Sequence, residues 1–258
     1  MSISWTLPDW PAVGVRALST YRSGGASAPP YASLNLGAHV GDGPATVAEN
    51  RRRLAAAAGL PSEPVWLSQV HGARVIDLDA AADEARLGAG AAGPIEADAS
   101  FTRRPGRVCA ILTADCLPIL LASDTGDLAA AAHAGWRGLA GGVVEAAVRA
   151  LPVPPRKLLA WLGPAIGPQH FEVGAEVREA LLQTDPKAEG AFAPNARGRF
   201  MADLAQLAHR RLAALGVDRI YGSGQCTFHH PDKYFSHRRD GVTGRQATLI
   251  WLKSASDR

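Results

Sequence analysis

Residues Val108–Ala134 read VCAILTADCLPILLASDTGDLAAAAHA. This stretch contains three short apolar runs, at 108–112, 117–122 and 127–132, and a Ser-Asp-Thr-Gly turn separates the last two. Short, continuous apolar runs between turn residues are typical of buried β-strands. The sequence therefore predicts three neighbouring strands in the interior of a sheet.

Further elements are predicted on both sides of this stretch. The predicted helices are 47–58, 139–151, 173–183 and 203–215, and the further predicted strands are 158–162, 219–221 and 246–252. The Ala/Gly-rich segment 80–93 is predicted to be a loop. Because helices and strands do not alternate regularly, the pattern favours an α+β fold over a doubly wound sheet. We expect an α/β sandwich, with mixed β-sheets packed in layers with helices.

Length and composition favour one domain that remains in the cytoplasm. A chain of 258 residues, 47% of them hydrophobic, can bury one large core, and no linker divides it, so we expect a single domain over 1–258. The 27 basic and 24 acidic residues are scattered, so nucleic acid is not an expected partner. A secretory signal needs an unbroken apolar run near the N-terminus, which Pro8, Asp9 and Pro11 interrupt, so the protein is expected to stay in the cytoplasm. No apolar run approaches the ~18 residues of a membrane span, so no membrane association is expected.

Three residues with metal-binding side chains stand at the ends of apolar runs. His71 ends a predicted strand at 66–71, Cys116 interrupts an apolar stretch, and His133 follows four alanines just before a predicted helix. Two imidazoles and one thiolate suit zinc, and three protein ligands leave a fourth position open, as in catalytic zinc sites. Their wide separation in sequence matches no local zinc motif, and each residue alone could instead be structural.

Eight motifs spread over nearly the whole chain carry a resemblance to a known family. They are Arg22-Ser23-Gly24-Gly25, Ser33-Leu34-Asn35-Leu36-Gly37, His39-Val40-Gly41-Asp42, Gln69-Val70-His71-Gly72, Thr113-Ala114-Asp115-Cys116-Leu117-Pro118, His133-Ala134-Gly135-Trp136-Arg137-Gly138, Gly163-Pro164-Ala165-Ile166-Gly167 and Ser236-His237-Arg238-Arg239-Asp240-Gly241-Val242-Thr243-Gly244-Arg245. With these motifs the chain resembles the multicopper polyphenol oxidoreductase, or laccase-domain, family, which includes purine nucleoside phosphorylases and peptidoglycan editing factor-like proteins. It departs from the family's motifs at Tyr21 and His237, neither of which is among the residues that the resemblance assigns to the metal.

The resemblance implies a metal site and a reaction class. It implies that His71, Cys116 and His133 bind a metal, with zinc expected and copper as the second candidate. It also implies phosphorolysis of adenosine, inosine, guanosine or methylthioadenosine, together with hydrolytic deamination of adenosine. Purine nucleosides and phosphate are therefore the expected small-molecule partners.

Two candidate catalytic residues flank these motifs. Asp115 adjoins Cys116 and could move a proton during the reaction, although a brace for the metal ligand or a turn cap is an equally good interpretation. Arg22, beside a Gly-Gly pair, could hold phosphate against a developing positive charge on the sugar.

Three further residues are candidates for substrate binding. Arg137, near the start of a predicted helix, could contact phosphate, although most arginines are simply solvated. The carboxamides of Asn35 and Gln69 could contact a purine edge or a ribose hydroxyl. Turn formation by Asn35 and strand-end bonding by Gln69 are the alternatives.

Three other functions remain open at this point. Cys116 could be the nucleophile of a hydrolase with His133 or His71 as its base. The family resemblance also allows an editing enzyme that acts on peptidoglycan precursors. A copper polyphenol oxidase would need several copper centres, and hence more ligands than the eight histidines and three cysteines of this chain.

Overall fold

The structure, a computed structural model, describes residues 2–80 and 95–254. The strands of these residues are β1 (Trp5–Thr6), β2 (Val15–Thr20), β3 (Val75–Asp77), β4 (Ala99–Thr102), β5 (Val108–Thr113), β6 (Leu117–Ser123), β7 (Ala129–Ala134), β8 (Leu158–Leu162), β9 (Glu172–Val173), β10 (Phe192–Pro194), β11 (Phe200–Ala202), β12 (Arg219–Gly222) and β13 (Gln246–Leu252). The helices are α1 (Pro44–Ala58), α2 (Trp136–Ala140), α3 (Val143–Ala150), α4 (Ala175–Thr184), α5 (Leu204–Ala214) and α6 (His237–Asp240). Short 3-10 helices occur at Pro155–Lys157 and Pro186–Ala191. Within these residues, no helix combines the length and the apolar character needed to cross a membrane.

The strands form two large sheets and one small one. The six-stranded sheet has the order β12-β8-β6-β7-β4-β3 and is mixed, because β12 runs parallel to β8 and β3 parallel to β4, whereas the other pairs are antiparallel. The four-stranded sheet, β1-β2-β13-β5, is antiparallel throughout. Strands β10, β11 and β9 form the small antiparallel sheet.

The buried side chains form three cores between successive layers. One core lies between the two large sheets, where Ile111 of β5 packs with Leu120 of β6. A second core joins the other face of the six-stranded sheet to helices α2 to α5, and a third joins the outer face of the four-stranded sheet to α1 through Leu54. The fold is therefore a layered α+β sandwich with mixed sheets, as the sequence predicts.

The alanines of β7 explain how its central position in this sandwich is filled. Ala129 and Ala131 belong to the core between the sheets, whereas Ala130 and Ala132 belong to the core beneath the helices. Side chains alternate between the two faces of a strand, so a strand buried on both faces must be apolar throughout. The small alanines allow both neighbouring layers to approach this strand closely.

The predicted elements are largely confirmed, with three differences. The helix predicted at 139–151 is divided into α2 and α3 at Gly141-Gly142, where Gly142 has a φ of +83°. The strand predicted at 66–71 is wrong, because within this segment only Ser68 makes an isolated bridge, next to the one made by Val65. Strands β1 to β4, the small sheet of β9, β10 and β11, and the short helix α6 are not predicted. The predicted loop at 80–93 lies outside the described residues, apart from Ala80.

The connection between β5 and β6 crosses from one large sheet to the other. Strand β5 belongs to the four-stranded sheet and β6 to the six-stranded sheet, so residues 114–116 bridge the two layers at one edge. Strand β7 ends at the same edge, where His133 pairs with Pro118 of β6. The fold thus brings Cys116 and His133 next to each other.

Candidate metal centre

The three predicted ligands meet at this edge of the sheets. We call these three side chains, His71, Cys116 and His133, the metal group. Their potential ligand atoms all lie within 4.8 Å of one another, and Cys116 Sγ is 3.9 Å from His71 Nε2. His133 is buried, Cys116 half-buried and His71 exposed, so the group is open to solvent on one side. Within residues 2–80 and 95–254, this is the group of His, Cys, Asp or Glu side chains that could hold a metal ion.

Gly135 keeps space free beside these side chains. A Cβ atom at this position would lie 2.8 Å from Cys116 Sγ and 3.2 Å from His71 Cδ2. Such distances leave no room for a side chain, so the cradle depends on glycine at the start of α2. The donor set of two imidazoles and one thiol fits zinc, whose catalytic sites use three protein ligands.

The backbone at this edge is strained. Among the described residues, the two non-glycine residues with a positive φ are His71, at +62°, and Asp115, at +93°. Positive φ values cost a non-glycine residue on the order of 1–3 kcal/mol, and such residues are concentrated at functional sites. One of these two residues is a potential ligand and the other precedes one, so the strain is localised at the metal group.

Asp98 organises this group, although sequence reasoning missed it. Its Oδ1 accepts hydrogen bonds from His133 Nδ1 at 2.8 Å and from the backbone N–H of His71 at 3.0 Å. Its Oδ2 accepts from the N–H groups of Val70 at 3.2 Å and Gly72 at 2.7 Å. The bond to Nδ1 leaves Nε2 of His133 as the potential ligand atom, which is the arrangement by which carboxylates commonly orient metal-binding histidines. The sequence signal for Asp98 is a carboxylate within an alanine-rich segment that begins a buried strand.

The electrostatics of the group favour a thiolate. Burial disfavours ionisation of Cys116, but His133 and hydrogen bonds from both imidazoles outweigh burial and lower the pKa of the thiol to about 6. Burial also disfavours the charged form of His133, yet Cys116 and Asp98 raise its pKa to about 9. Burial acts to raise the pKa of Asp98 too, but the hydrogen bond from His133 and those from the backbone bring it below its usual range. Thiolates are the form of cysteine that binds metals.

Asp115 is placed beside the metal group with both carboxylate oxygens engaged. Its Oδ1 accepts from Thr227 Oγ1 at 2.6 Å, and its Oδ2 accepts from the backbone N–H of Arg238 at 2.7 Å. Its backbone carbonyl accepts from the N–H of Ile166 at 2.9 Å. These contacts match the alternative interpretation, in which Asp115 braces the segment that carries Cys116, and the predicted role in proton transfer stays a prediction.

Replacing Asp115 with asparagine separates these two roles. An asparagine can keep both side-chain contacts, because its oxygen can accept from Arg238 N–H while its amide donates to the Thr227 hydroxyl. If Asp115 is a brace, we expect turnover of Asp115→Asn to stay within about tenfold of the unchanged protein. A loss of about 10²- to 10⁴-fold in kcat would instead support general acid–base catalysis.

The two predicted substrate-binding amides hold the backbone near the site. Asn35 is buried, and its amide donates to Gly37 O and Asp42 Oδ2 while its oxygen accepts from the N–H groups of Gly37 and Arg245. Gln69 uses both ends of its amide on the backbone of Leu112, at 2.8 Å each. Asn35 therefore builds a turn, and Gln69 fastens the segment before His71 to β5. These contacts correspond to the alternatives considered for both residues.

The two predicted phosphate-binding arginines have different surroundings. Arg22 donates from Nε to Ala32 O at 3.0 Å and from Nη1 to Pro231 O at 3.1 Å, and its guanidinium lies 4.7 Å from the centre of the Phe235 ring. Arg137 is exposed and stacks 4.4 Å from the centre of the Trp136 ring. The roles predicted for both stay predictions, but the contacts of Arg22 are those of a residue that ties loops together.

A separate cavity lies on the helix side of the same sheet edge. It has a volume of about 570 Å³, and its lining includes Leu117, Ile166, His170 and Cys226. The lining excludes all three potential metal ligands. Thr227, which follows Cys226, is the residue that bonds Asp115, so the cavity wall and the metal group share a neighbour.

Comparison with known proteins places this chain in a family. It matches the family described as multi-copper polyphenol oxidoreductase laccase over residues 16–253. The purine nucleoside phosphorylase YfiH of Escherichia coli is 51% identical over 247 residues, which cover 95% of this chain and 98% of that protein. A purine nucleoside phosphorylase of Pseudomonas aeruginosa is 52% identical over 252 residues, which cover 97% of this chain and 99% of that protein.

Solved structures share the fold. A crystal structure of a Neisseria meningitidis protein is 44% identical in sequence, with a TM-score of 0.89 and coverage of 97% of this chain and 99% of that chain. The crystal structure of YlmD from Geobacillus stearothermophilus is 34% identical, with a TM-score of 0.90 and coverage of 97% and 96%. The chain therefore belongs to the multi-copper polyphenol oxidoreductase laccase family.

Proposed function

We propose that this protein is a zinc-dependent purine nucleoside phosphorylase that acts on free nucleosides in the cytoplasm. Its candidate substrates are adenosine, inosine, guanosine and methylthioadenosine, and we include hydrolytic deamination of adenosine as an accompanying activity. The observation that carries the proposal is the open group formed by His71, Cys116 and His133. The names of the Escherichia coli and Pseudomonas aeruginosa relatives supply the reaction class.

The donor set supports zinc over copper. One thiolate and two imidazoles with an open fourth position are typical of catalytic zinc. Oxidases that contain several copper ions need several ligand clusters, and the described residues bring together one group of three. An ion held there would act as a Lewis acid toward a substrate group at the open position.

The residues of this chain have distinct tasks in the proposal. Asp98 orients His133 and fixes the backbone that carries His71, while Asp115 and Gln69 hold the two segments that bring Cys116 and His71 together. This rigid support matters because catalytic groups must keep their geometry to within a fraction of an ångström. The exposed side of the group leaves access for a nucleoside.

Product analysis after incubation with adenosine tests the proposed function. With zinc-loaded protein we expect adenine and ribose 1-phosphate to form only when phosphate is present, and inosine to form with or without phosphate. Chelation of the metal should abolish all three products, and zinc should restore them. Absence of every product from protein with stoichiometric zinc would contradict the proposal.

A hydrolase that uses Cys116 as its nucleophile is the second candidate. The lowered pKa of Cys116 beside His133 favours it, since a thiolate paired with an imidazolium is also a nucleophilic arrangement. Metal content and alkylation separate the two functions. Stoichiometric zinc that protects Cys116 from iodoacetamide supports the phosphorylase, whereas a metal-free, active protein that alkylation inactivates supports the hydrolase.

A further inference from the structure

Arg245 lies at the level of the metal group, although it is remote in sequence. Gln246 at the start of β13 pairs with Thr113 at the end of β5, so Arg245 stands one residue further along, beside the connection that carries Cys116. Its backbone N–H donates to Asn35 Oδ1 at 2.9 Å, and its carbonyl accepts from the N–H of Leu36 at 3.1 Å. The backbone of Arg245 is therefore fixed on both sides.

The guanidinium of Arg245 is half-buried and has no carboxylate partner among the described residues. Its Nη1 donates to the carbonyls of Thr243 and Gly244, at 3.0 Å each, and these neutral acceptors leave Nε and Nη2 available. Burial lowers the pKa of Arg245, while Cys116 and Asp115 act in the opposite direction, so both lie within electrostatic reach. The oxygens of Asp115 are already used by Thr227 and Arg238.

The groups around Arg245 are mostly basic. His39 is exposed and lies two residues after Gly37, where a Cβ atom would be 2.8 Å from Arg245 Cγ. Partial burial of its ring lowers the pKa of His39, and the positive charges of Arg245, Arg51, His133 and His71 act in the same direction. Arg51 is already engaged, because it donates to Leu36 O from two nitrogens and stacks 4.2 Å from the centre of the Trp66 ring. Arg245, by contrast, has only the carbonyls of Thr243 and Gly244 as side-chain hydrogen-bond partners among the described residues.

Two buried hydroxyl groups close to Arg245 also lack a partner within the described structure. Thr243 lies two residues before Arg245, and Thr113 pairs with Gln246, the residue after Arg245. Both threonines are 2% exposed, and the Oγ1 atom of each lacks a hydrogen bond. Buried polar atoms are normally satisfied, so unpaired ones need an explanation. The polar side chains at this end of β5 and β13 are therefore incompletely paired.

We propose that Arg245, assisted by His39, forms the phosphate-binding subsite of the active site. The subsite rests on the proposed phosphorylase function, and it replaces Arg22 and Arg137 as the main phosphate contact. The planar guanidinium offers two parallel N–H donors to an oxyanion, which suits phosphate. An oxygen of hydrogen phosphate forms a bond to C1′ of the ribose as the C1′–N9 bond breaks, and the purine takes the electron pair of that bond and the proton that hydrogen phosphate loses. The products are the free base and ribose 1-phosphate.

Kinetics of Arg245→Met and Arg245→Lys test this subsite. For Arg245→Met we expect the KM for phosphate to rise about ten- to a hundredfold, with smaller changes in nucleoside KM and unchanged zinc content. Arg245→Lys keeps the positive charge but loses the paired N–H donors of the guanidinium, so its KM for phosphate should lie between those of the unchanged protein and Arg245→Met. It also replaces the methionine variant in the test if that variant does not fold. His39→Gln should raise the phosphate KM by a few-fold. Arg74→Met is the control, because it removes one exposed positive charge three residues from His71.

Calorimetric titration of the zinc-loaded protein with inorganic phosphate, without nucleoside, separates the subsite from the reaction. We expect the Kd for phosphate to rise at least about tenfold in Arg245→Met and to stay unchanged in Arg74→Met. Binding that depends on Arg245 without phosphorolysis would support the subsite and contradict the phosphorylase. Phosphorolysis with an unchanged phosphate KM in Arg245→Met and Arg245→Lys would overturn the subsite and leave the phosphorylase intact. Absence of both binding and phosphorolysis would contradict both.

Discussion

Replacing Cys116 with serine is expected to reduce zinc content from about one ion per chain to nearly none, and phosphorolysis by at least about a thousandfold. A serine hydroxyl is not ionised at neutral pH, whereas the pKa of Cys116 is lowered to about 6. The substitution therefore removes the anionic ligand and leaves two imidazoles, which bind zinc far more weakly than the complete set. Metal analysis of the purified variant and product formation from adenosine measure the two effects.

Cys226→Ser provides the matched control for this change. Like Cys116, Cys226 is a half-buried free cysteine, but it lies in the wall of the separate cavity and accepts a hydrogen bond from the N–H of Gly167. A serine there can accept the same bond, so zinc content and activity should remain close to those of the unchanged protein. Retention of one zinc per chain in Cys116→Ser would contradict the proposed ligand set.

The fold could be predicted because its central strands are apolar throughout. A strand that is buried on both faces need not alternate between apolar and polar residues. Strands β5, β6 and β7 can therefore be predicted from their apolar composition alone. The failed strand at 66–71 shows the limit of this reasoning. There Gln69 supplies through its side chain the pairing with Leu112 that a strand would make through its backbone, and a sequence pattern does not distinguish the two.

The metal group could be predicted from its chemistry, but Asp98 and Arg245 could not. His71, Cys116 and His133 are of residue types whose side chains can bind metals, and the family resemblance selects them. The roles of Asp98 and Arg245 depend on their burial and on their contacts, and a sequence pattern shows neither. Asp98 is 27 positions from His71 and 35 from His133, so only the folded chain brings its four donors together.

Asn35 shows why polar residues within motifs are easily assigned to a ligand. Its amide is saturated by Gly37, Asp42 and Arg245, so the side chain builds the turn against which Arg245 rests. Asn35 contributes to the proposed phosphate subsite by positioning the backbone of Arg245. A motif residue can thus be required for a site without touching what the site binds.

The substitution Asp98→Asn is expected to weaken zinc binding by about ten- to a hundredfold, as found when carboxylates that orient metal-binding histidines are removed. Each carboxylate oxygen of Asp98 accepts two hydrogen bonds. Oδ1 accepts from His133 Nδ1 and the N–H of His71, and Oδ2 accepts from the N–H groups of Val70 and Gly72. An asparagine offers one accepting oxygen, so two of the four donors face an NH₂ group. Unsatisfied buried donors cost about 1–3 kcal/mol each, and the variant should also unfold more easily.

Loss of stability alone could weaken zinc binding, so Asp79→Asn serves as the comparison. Asp79 is also buried, and it accepts from Thr102 Oγ1 and from the N–H of Arg103, away from the metal group. Competition with a chelator and denaturant unfolding should be measured for both variants. If Asp98 acts by orienting His133, only Asp98→Asn loses zinc affinity, even when both variants lose similar free energy of unfolding. An unchanged zinc affinity in Asp98→Asn would mean that the ligands hold their geometry without Asp98, and an equal loss in both variants would mean that Asp98 acts only through stability.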